Sequence, residues 1–347
     1  MPPTKTENIE WISNLRVIAL YAVIIVHTSS PLMGFGKVLA SDWWTADFFN
    51  ALVRFAVPVF VMITGALMLH REYEIGSFLK KRLVRVVVPF LFWSLVYIWY
   101  SWFNGELKFG IDAWVNIKLV LHLLKWGSSN HLWYVYMLIG LYFFIPVIGK
   151  FIRHATEKEI QYFLIVWFAV MMITQPYLVR FNTAVDMHYF AGYAGYLVLG
   201  HYLAFREFTI KNLRIWMVML FVFCTALITI GTGLIIPYRN WPGTLFYEPL
   251  NPAIVMQAAS VFIIAKLTIP KVSQVITRIR DFVVKYSYGI YLGHVLMLYL
   301  LDDYLNLIYK VFMPVISIPL TALVCFVFTV PLVWIINKLP FGKWISG

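Results

Sequence analysis

The chain has 347 residues, of which 61% are hydrophobic, 18% aromatic and only 13% charged. Soluble domains are about 45–50% apolar and about 25% charged, so too few charges remain to coat a water-soluble surface, and the aromatic content excludes a disordered chain. The net charge of +12 raises nucleic acid as a partner, a question settled by where the charges fall.

A bilayer-spanning helix takes about 20 apolar residues. Runs of that kind cover residues 10–28, 45–69, 84–103, 131–149, 160–178, 187–205, 213–231, 251–269, 285–303 and 312–336. They are long and continuous, which predicts helices and not the short alternating strands of a barrel. The expected fold is all-α: one polytopic transmembrane domain over 1–347 with about ten spans and no separate soluble domain. Only Lys5 precedes the first run and no small-residue cleavage site follows it, as expected of an uncleaved first span. The gaps 29–44, 104–130, 232–250 and 270–284 read as loops or short interfacial pieces. Within Ala113–Trp126, Lys118, His122 and Lys125 share a helical face while Trp114, Ile117, Leu121 and Leu124 supply apolar bulk, which predicts a helix lying in the interface. Cys224 and Cys325, far apart inside apolar runs, suit neither a disulfide framework nor a metal site and read as small buried hydrophobes. No Walker loop, dinucleotide fingerprint, zinc spacing or nucleophile elbow is present, and no metal is expected.

Basic residues orient the spans. With both termini cytoplasmic, nineteen Lys and Arg fall on the cytoplasmic side and seven on the other, Arg16 and Arg54 being left inside spans. Every loop then fits the positive-inside rule. Topology and contact with anionic lipid therefore account for most of the charge, and nucleic acid is not needed as a partner.

Ionisable groups inside spans cost several kcal/mol and mark functional sites. Arg16 and His27 are eleven residues apart in the first span, which is three turns plus about 20°, so they share a face about 16 Å apart along the axis. That face offers a cation for an anion and a proton-transfer group above it; a snorkelling Arg and a His bonded to a neighbouring helix is the structural alternative. Arg54 lies too deep to snorkel easily, four residues before Pro58 and with no acid within one turn. In Lys80-Lys81-Arg82-Leu83-Val84-Arg85, Arg82 and Arg85 share a face at i,i+3. Topology is the ordinary explanation of both, and two guanidinium forks there also suit a phosphate-rich ligand. His131-Leu132-Trp133-Tyr134 opens the fourth span and is either an aromatic belt or a sugar-binding edge. Ser287-Tyr288-Gly289-Ile290-Tyr291-Leu292-Gly293-His294 puts His294 midway along the ninth span, beside glycines that suit close helix packing.

These segments resemble, in order and topology, the membrane acyltransferase family 3, and within it the short bacterial members similar to enterobacterial-common-antigen O-acetyltransferase. Leu15-Arg16 through His27 resembles the family's Arg-x10-His first helix. Val57-Pro58-Val59-Phe60-Val61-Met62-Ile63-Thr64-Gly65 resembles its second helix, and Arg82-x-x-Arg85 followed by Pro89 its cytoplasmic Arg-x-x-Arg motif. The His131 and His294 segments match recurring ones. One departure is Ser13, where the family usually carries Asp two residues before Leu-Arg, so Arg16 lacks a carboxylate neighbour there. The C-terminal esterase-like domain of some relatives has no counterpart before Gly347.

The resemblance implies an O-acyltransferase of the bacterial cytoplasmic (inner) membrane, using acetyl-CoA to acylate a hydroxyl of a cell-envelope glycan or its lipid-linked precursor. Arg82, Arg85 and Arg16 would meet the phosphates of the donor. His27 would act as base or as transient acyl carrier, and Arg54 would stabilise the oxyanion. His131, Trp133, Tyr134 and His294 would contact the acceptor. The alternative is a carrier or flippase of a lipid-linked glycan or small solute, for which no internal repeat is visible.

Overall fold

The computed structural model describes residues 7–35, 40–176, 178, 192–236, 244–268, 272–305 and 313–347. Lys5, Lys37, Arg180, Arg239, Lys271 and Lys310 lie outside the described residues. The described chain forms fourteen α-helices: α1 (Glu7–Phe35), α2 (Ser41–Leu52), α3 (Ala56–Met68), α4 (Ile75–Phe103), α5 (Ala113–Trp126), α6 (Trp133–His154), α7 (Glu157–Ile173), α8 (Ala194–Phe205), α9 (Leu213–Ile235), α10 (Pro252–Leu267), α11 (Gln274–Lys285), α12 (Ser287–Leu305), α13 (Pro314–Lys338) and α14 (Gly342–Ile345). No strand occurs among the described residues. Each of the ten apolar runs contains helix, and seven segments are long and apolar enough to cross a membrane: Glu10–Gly34, Ser41–Met68, Ile75–Phe103, Asn130–His154, Leu213–Ile235, Leu245–Leu267 and Pro314–Lys338. The remaining three runs hold the shorter helices α7, α8 and α12, of 17, 12 and 19 residues. The chain is an all-α polytopic membrane protein.

On α9 and α13 small and polar residues are concentrated on the inward face while large apolar side chains face outward, the arrangement expected where lipid surrounds the bundle. On α9, Cys224, Thr225, Ile228 and Thr232 are buried, while Trp216, Met219, Phe223 and Leu234 are exposed. On α13 the buried positions include Ser317, Thr321, Ala322, Cys325 and Thr329. Without a hydrophobic driving force between helices, close packing and internal hydrogen bonds carry association. A close backbone approach joins α3 and α8. A Cβ on Gly65 would sit 2.0 Å from the Leu197 carbonyl oxygen, and one on Gly200 would sit 2.1 Å from that of Met62. The two backbones touch because both positions lack side chains.

Three features depart from a simple count of spans. The second run, expected as one helix over 45–69, is broken at Val53–Phe55 into α2 and α3. Pro58 has no N–H, so the Arg54 carbonyl four residues earlier has no α-helical donor. Val53 and Arg54 turn instead through i→i−3 bonds to Asn50 and Ala51, at 3.3 and 3.4 Å. Residues 274–284, within the gap expected as a loop or short interfacial piece, lie in α11, which also takes in Lys285 from the start of the expected ninth span. The first helix extends past residue 28, through Ser29 and Ser30, whose hydroxyls donate to the Ile25 and Val26 carbonyls at 2.8 and 2.6 Å. The interfacial helix expected over 113–126 is α5, which has no buried residue and is capped by Asp112. Where chain enters helix at the basic end, caps are built from side chains. Glu74 accepts from the Gly76 and Ser77 amides at the start of α4, and the Ser77 and Gly76 donors hold its carboxyl below the ordinary carboxylate range.

The glycine contact makes a clear prediction. Gly65→Ala and Gly200→Ala should each destabilise the protein by about 1–3 kcal/mol, read as a lowered unfolding temperature in detergent. Unchanged midpoints in both variants would show that α3 and α8 can separate without cost.

Candidate functional site

At the end of the bundle that carries most of the basic residues, a cavity of ≈ 1040 Å³, counting its open mouth, runs inward between α1, α3, α4, α6 and α12. Arg16, Arg82, Arg85 and Lys285 line it, and no acidic side chain does. The rest of its wall is rich in tyrosine, with Tyr134, Tyr142, Tyr288 and Tyr291. Arg16 and the Arg82–Arg85 pair, more than sixty residues apart in sequence, therefore face one space. Four cations around a cavity lined by no acidic side chain favour an anion, and guanidinium forks suit phosphate oxygens.

Past the tyrosines lies a cluster of three imidazoles. The His27 ring is 5.1 Å from that of His294 and 5.9 Å from that of His131, and the His131 and His294 rings are 5.2 Å apart, centre to centre. The three come from α1, from the turn Asn130–Leu132 ahead of α6, and from α12. Tyr291 joins cavity and cluster. It lines the cavity, its ring lies 5.1 Å from Tyr134 and 5.7 Å from His294, and its hydroxyl donates to the His131 carbonyl.

The hydrogen bonds assign tautomers. His131 Nε2 faces the Leu292 carbonyl at 3.3 Å and so carries the proton, leaving Nδ1 to accept from the Ser129 hydroxyl at 3.0 Å. His294 Nδ1 faces the Tyr291 carbonyl at 2.5 Å and carries its proton there. His294 Nε2 then holds a lone pair, buried and with no hydrogen-bond partner among the described residues. Fixing one ring nitrogen determines what the other offers. Tyr97 holds this stretch of α12 in place. Its hydroxyl donates to the Leu292 carbonyl at 2.8 Å and accepts from the Leu296 amide at 3.0 Å, bridging an i,i+4 pair. His27 makes ring contacts and has no hydrogen-bond partner among the described residues, so its nitrogens are uncommitted.

Arg54 stands in the break between α2 and α3. Its guanidinium lies 4.1 Å over the Tyr247 ring, Nη1 donates to the Tyr247 carbonyl at 3.4 Å, and Nε is buried without a partner. The Tyr247 hydroxyl donates to Asp47, which is fully buried with its other oxygen unpartnered. The carbonyl of Ala51, just before the break, accepts from Gln257 Nε2 at 2.9 Å. Asn50 reaches α1, donating to Ser29 and Ser30 at 2.9 and 3.0 Å and to the Val26 carbonyl at 3.3 Å. The broken helix is thus anchored to the His27 turn of α1, and the Arg54 charge lies within electrostatic reach of that imidazole.

Of the residues singled out in the sequence, Arg16, Arg82, Arg85 and Tyr134 share the cavity, while His27, His131 and His294 share the cluster. Trp133 departs from the group: its ring is 41% exposed and packs 6.0 Å from Tyr193. One residue from Tyr134 it is turned by about 100° around α6, away from the imidazoles. Lys285, Tyr291, Tyr97, Asp47 and Tyr247 were not singled out. Asp47 had a readable signal, since seven residues before Arg54 is two helical turns on the same face. The Tyr97 contact across 195 residues had none.

Comparison with known proteins bears on this arrangement. The family described as "Acyltransferase domain" matches residues 9–338. The Bacillus subtilis (strain 168) protein YfiQ, provisionally named a membrane-bound acyltransferase, is 25% identical over 358 residues, 96% of this chain and 92% of its own length. No solved structure matches the chain.

The Asp47–Tyr247 bond is testable alone. Tyr247→Phe leaves a buried carboxylate with neither oxygen satisfied and should lower stability by about 1–3 kcal/mol. In a double-mutant cycle with Asp47→Asn, measured by unfolding temperature, the two changes should be non-additive. Full additivity would show that the pair does not hold the α2–α3 break.

Proposed function

Because the chain belongs to the acyltransferase-domain family and is an integral membrane acyltransferase, we propose that it transfers acetyl from acetyl-CoA to a hydroxyl of a cell-envelope glycan or its lipid-linked precursor. The observation that carries this reading is the continuity of the site: a cationic cavity leads through Tyr134 and Tyr291 to three imidazoles. In this reading the basic end faces the cytoplasm of a bacterium, as the positive-inside rule requires, and the inner membrane is its location. The donor enters from that side, where coenzyme A is made.

The phosphates of the donor meet Arg82, Arg85 and Arg16, and the pantetheine arm passes between the tyrosines. This places the thioester carbonyl at the cluster. His27, neutral and uncommitted, takes the proton of the acceptor hydroxyl as its oxygen attacks the carbonyl carbon. The new C–O bond forms, the C–S bond breaks, and the proton passes from the imidazolium to the departing thiolate. The products are an acetyl ester and free coenzyme A. In a two-step variant the same imidazole carries the acetyl group before the acceptor arrives. Arg54, with a free buried Nε–H, supplies positive charge for the oxyanion. His294 Nε2 can accept from an acceptor hydroxyl, and His131, held by Ser129 and Leu292, keeps the cluster in register.

Purified protein given labelled acetyl-CoA should pass label to a glycan acceptor. His27→Ala should cut the rate by at least about 100-fold with an unchanged unfolding temperature; retained activity would remove His27 from the chemistry. Arg82→Ala with Arg85→Ala should weaken coenzyme A binding by about tenfold or more, and unchanged affinity would return these arginines to topology. Movement of a lipid-linked glycan across vesicles without ester formation would favour a carrier instead.

A further inference from the structure

A second cavity opens beside the arginine cavity at the basic end, ≈ 1390 Å³ counting its mouth, where α4 packs against α14. Lys80, Lys81 and Arg85 from α4 line it together with Lys343 and Trp344 from α14. Arg85 and Gly347 belong to the walls of both cavities, so the two spaces are neighbours. No acidic residue lines either. Among the described residues, none of these lysines nor Arg85 has a carboxylate partner. Glu74, the acid at the start of α4, is already engaged by the Gly76 and Ser77 amides.

The positive-inside rule explains why cations occupy this end. It does not explain why cations from two segments over 250 residues apart converge on one groove that continues a guanidinium-lined cavity. We propose that this lysine groove holds the nucleotide end of the coenzyme A donor, with its 3′-phosphate on Lys80, Lys81 and Lys343. The inference rests on the acetyl-CoA reading above and adds a second half to that site. The division of cations fits the molecule. Two guanidinium forks suit the oxygens of an internal diphosphate, and compact ammonium groups suit a terminal monoester carrying close to two charges. Arg85 sits where the two phosphate groups would meet. The Trp344 ring, 60% exposed, borders the groove and offers a face on which a purine can stack. The headgroup of an anionic lipid presents a phosphate to the same lysines, so the test must separate the two sources.

The experiment uses the full chain, purified in detergent, with coenzyme A and 3′-dephospho-coenzyme A as paired probes. The wild type should bind coenzyme A about tenfold more tightly than the dephospho form. Lys80→Ala, Lys81→Ala and Lys343→Ala combined should lower coenzyme A affinity to the dephospho value and leave dephospho binding unchanged. Equal wild-type affinity for both probes would overturn the groove assignment and leave the donor reading standing. Binding of neither probe would overturn the donor reading and this inference with it. In nanodiscs with and without phosphatidylglycerol the discrimination between probes should persist. Triple-variant effects that follow lipid charge and spare the discrimination would assign the groove to lipid and overturn the proposal.

Discussion

A charged or hydrogen-bonding side chain at bilayer depth has no water to turn to, so it must be satisfied inside the bundle or be held there for chemistry. Much of the interior follows from that constraint. Asn50 is tied to the serines and backbone of α1, Gln257 to Ala51 and Thr225, and Asp47 to Tyr247. Even Cys325 turns its thiol to the His294 carbonyl at 3.3 Å. Other buried polar atoms keep no partner among the described residues, Asp47 Oδ2, Asn50 Oδ1 and Gln257 Oε1 among them. Nε2 of His294 and Nε of Arg54 are also among the buried atoms without a hydrogen-bond partner in the described residues, and both belong to elements around the imidazole cluster.

The same constraint explains the division of the site into two chemistries. Near the basic end, cations line a cavity that opens outward, where hydration lowers the cost of keeping guanidinium groups together. Farther in, the path is lined by imidazoles, whose neutral form is far cheaper to bury than an ion. The tyrosines between are amphipathic and suit the passage from one regime to the other. A phosphate-bearing thioester has the matching polarity, charged at one end and neutral at its reactive end.

Part of this was legible in the sequence, for a physical reason. Helix periodicity is local, so eleven residues sufficed to place Arg16 and His27 on one face, and three to place Arg82 beside Arg85. The helix over 113–126 was readable because its charges repeat at helical spacing. What was not readable is set by contacts between distant segments. His131 and His294 stood as separate motifs, and the packing of α12 against α1 together with that of α6 against α4 brings them to His27. The break at Val53–Phe55 had a local cause in Pro58, yet the uniform hydropathy of the run concealed it. Trp133 was grouped with Tyr134 by adjacency, whereas one step along a helix turns a side chain to another face. The glycines of α12 were rightly tied to packing: a Cβ on Gly293 would meet the Trp93 ring at 2.6 Å.

In the proposed reaction the arginine cavity and the histidine cluster are two ends of one donor path. Bromoacetyl-coenzyme A tests it directly, because its electrophilic carbon takes the place of the acetyl group while its phosphates remain those of the donor. After incubation with the purified protein, peptide mapping by mass spectrometry should find the alkyl group on the cluster, at His27 or His294. Excess coenzyme A should protect both residues, and so should Arg82→Ala with Arg85→Ala. Labelling confined to exposed lysines or cysteines, or cluster labelling that coenzyme A does not prevent, would contradict the account.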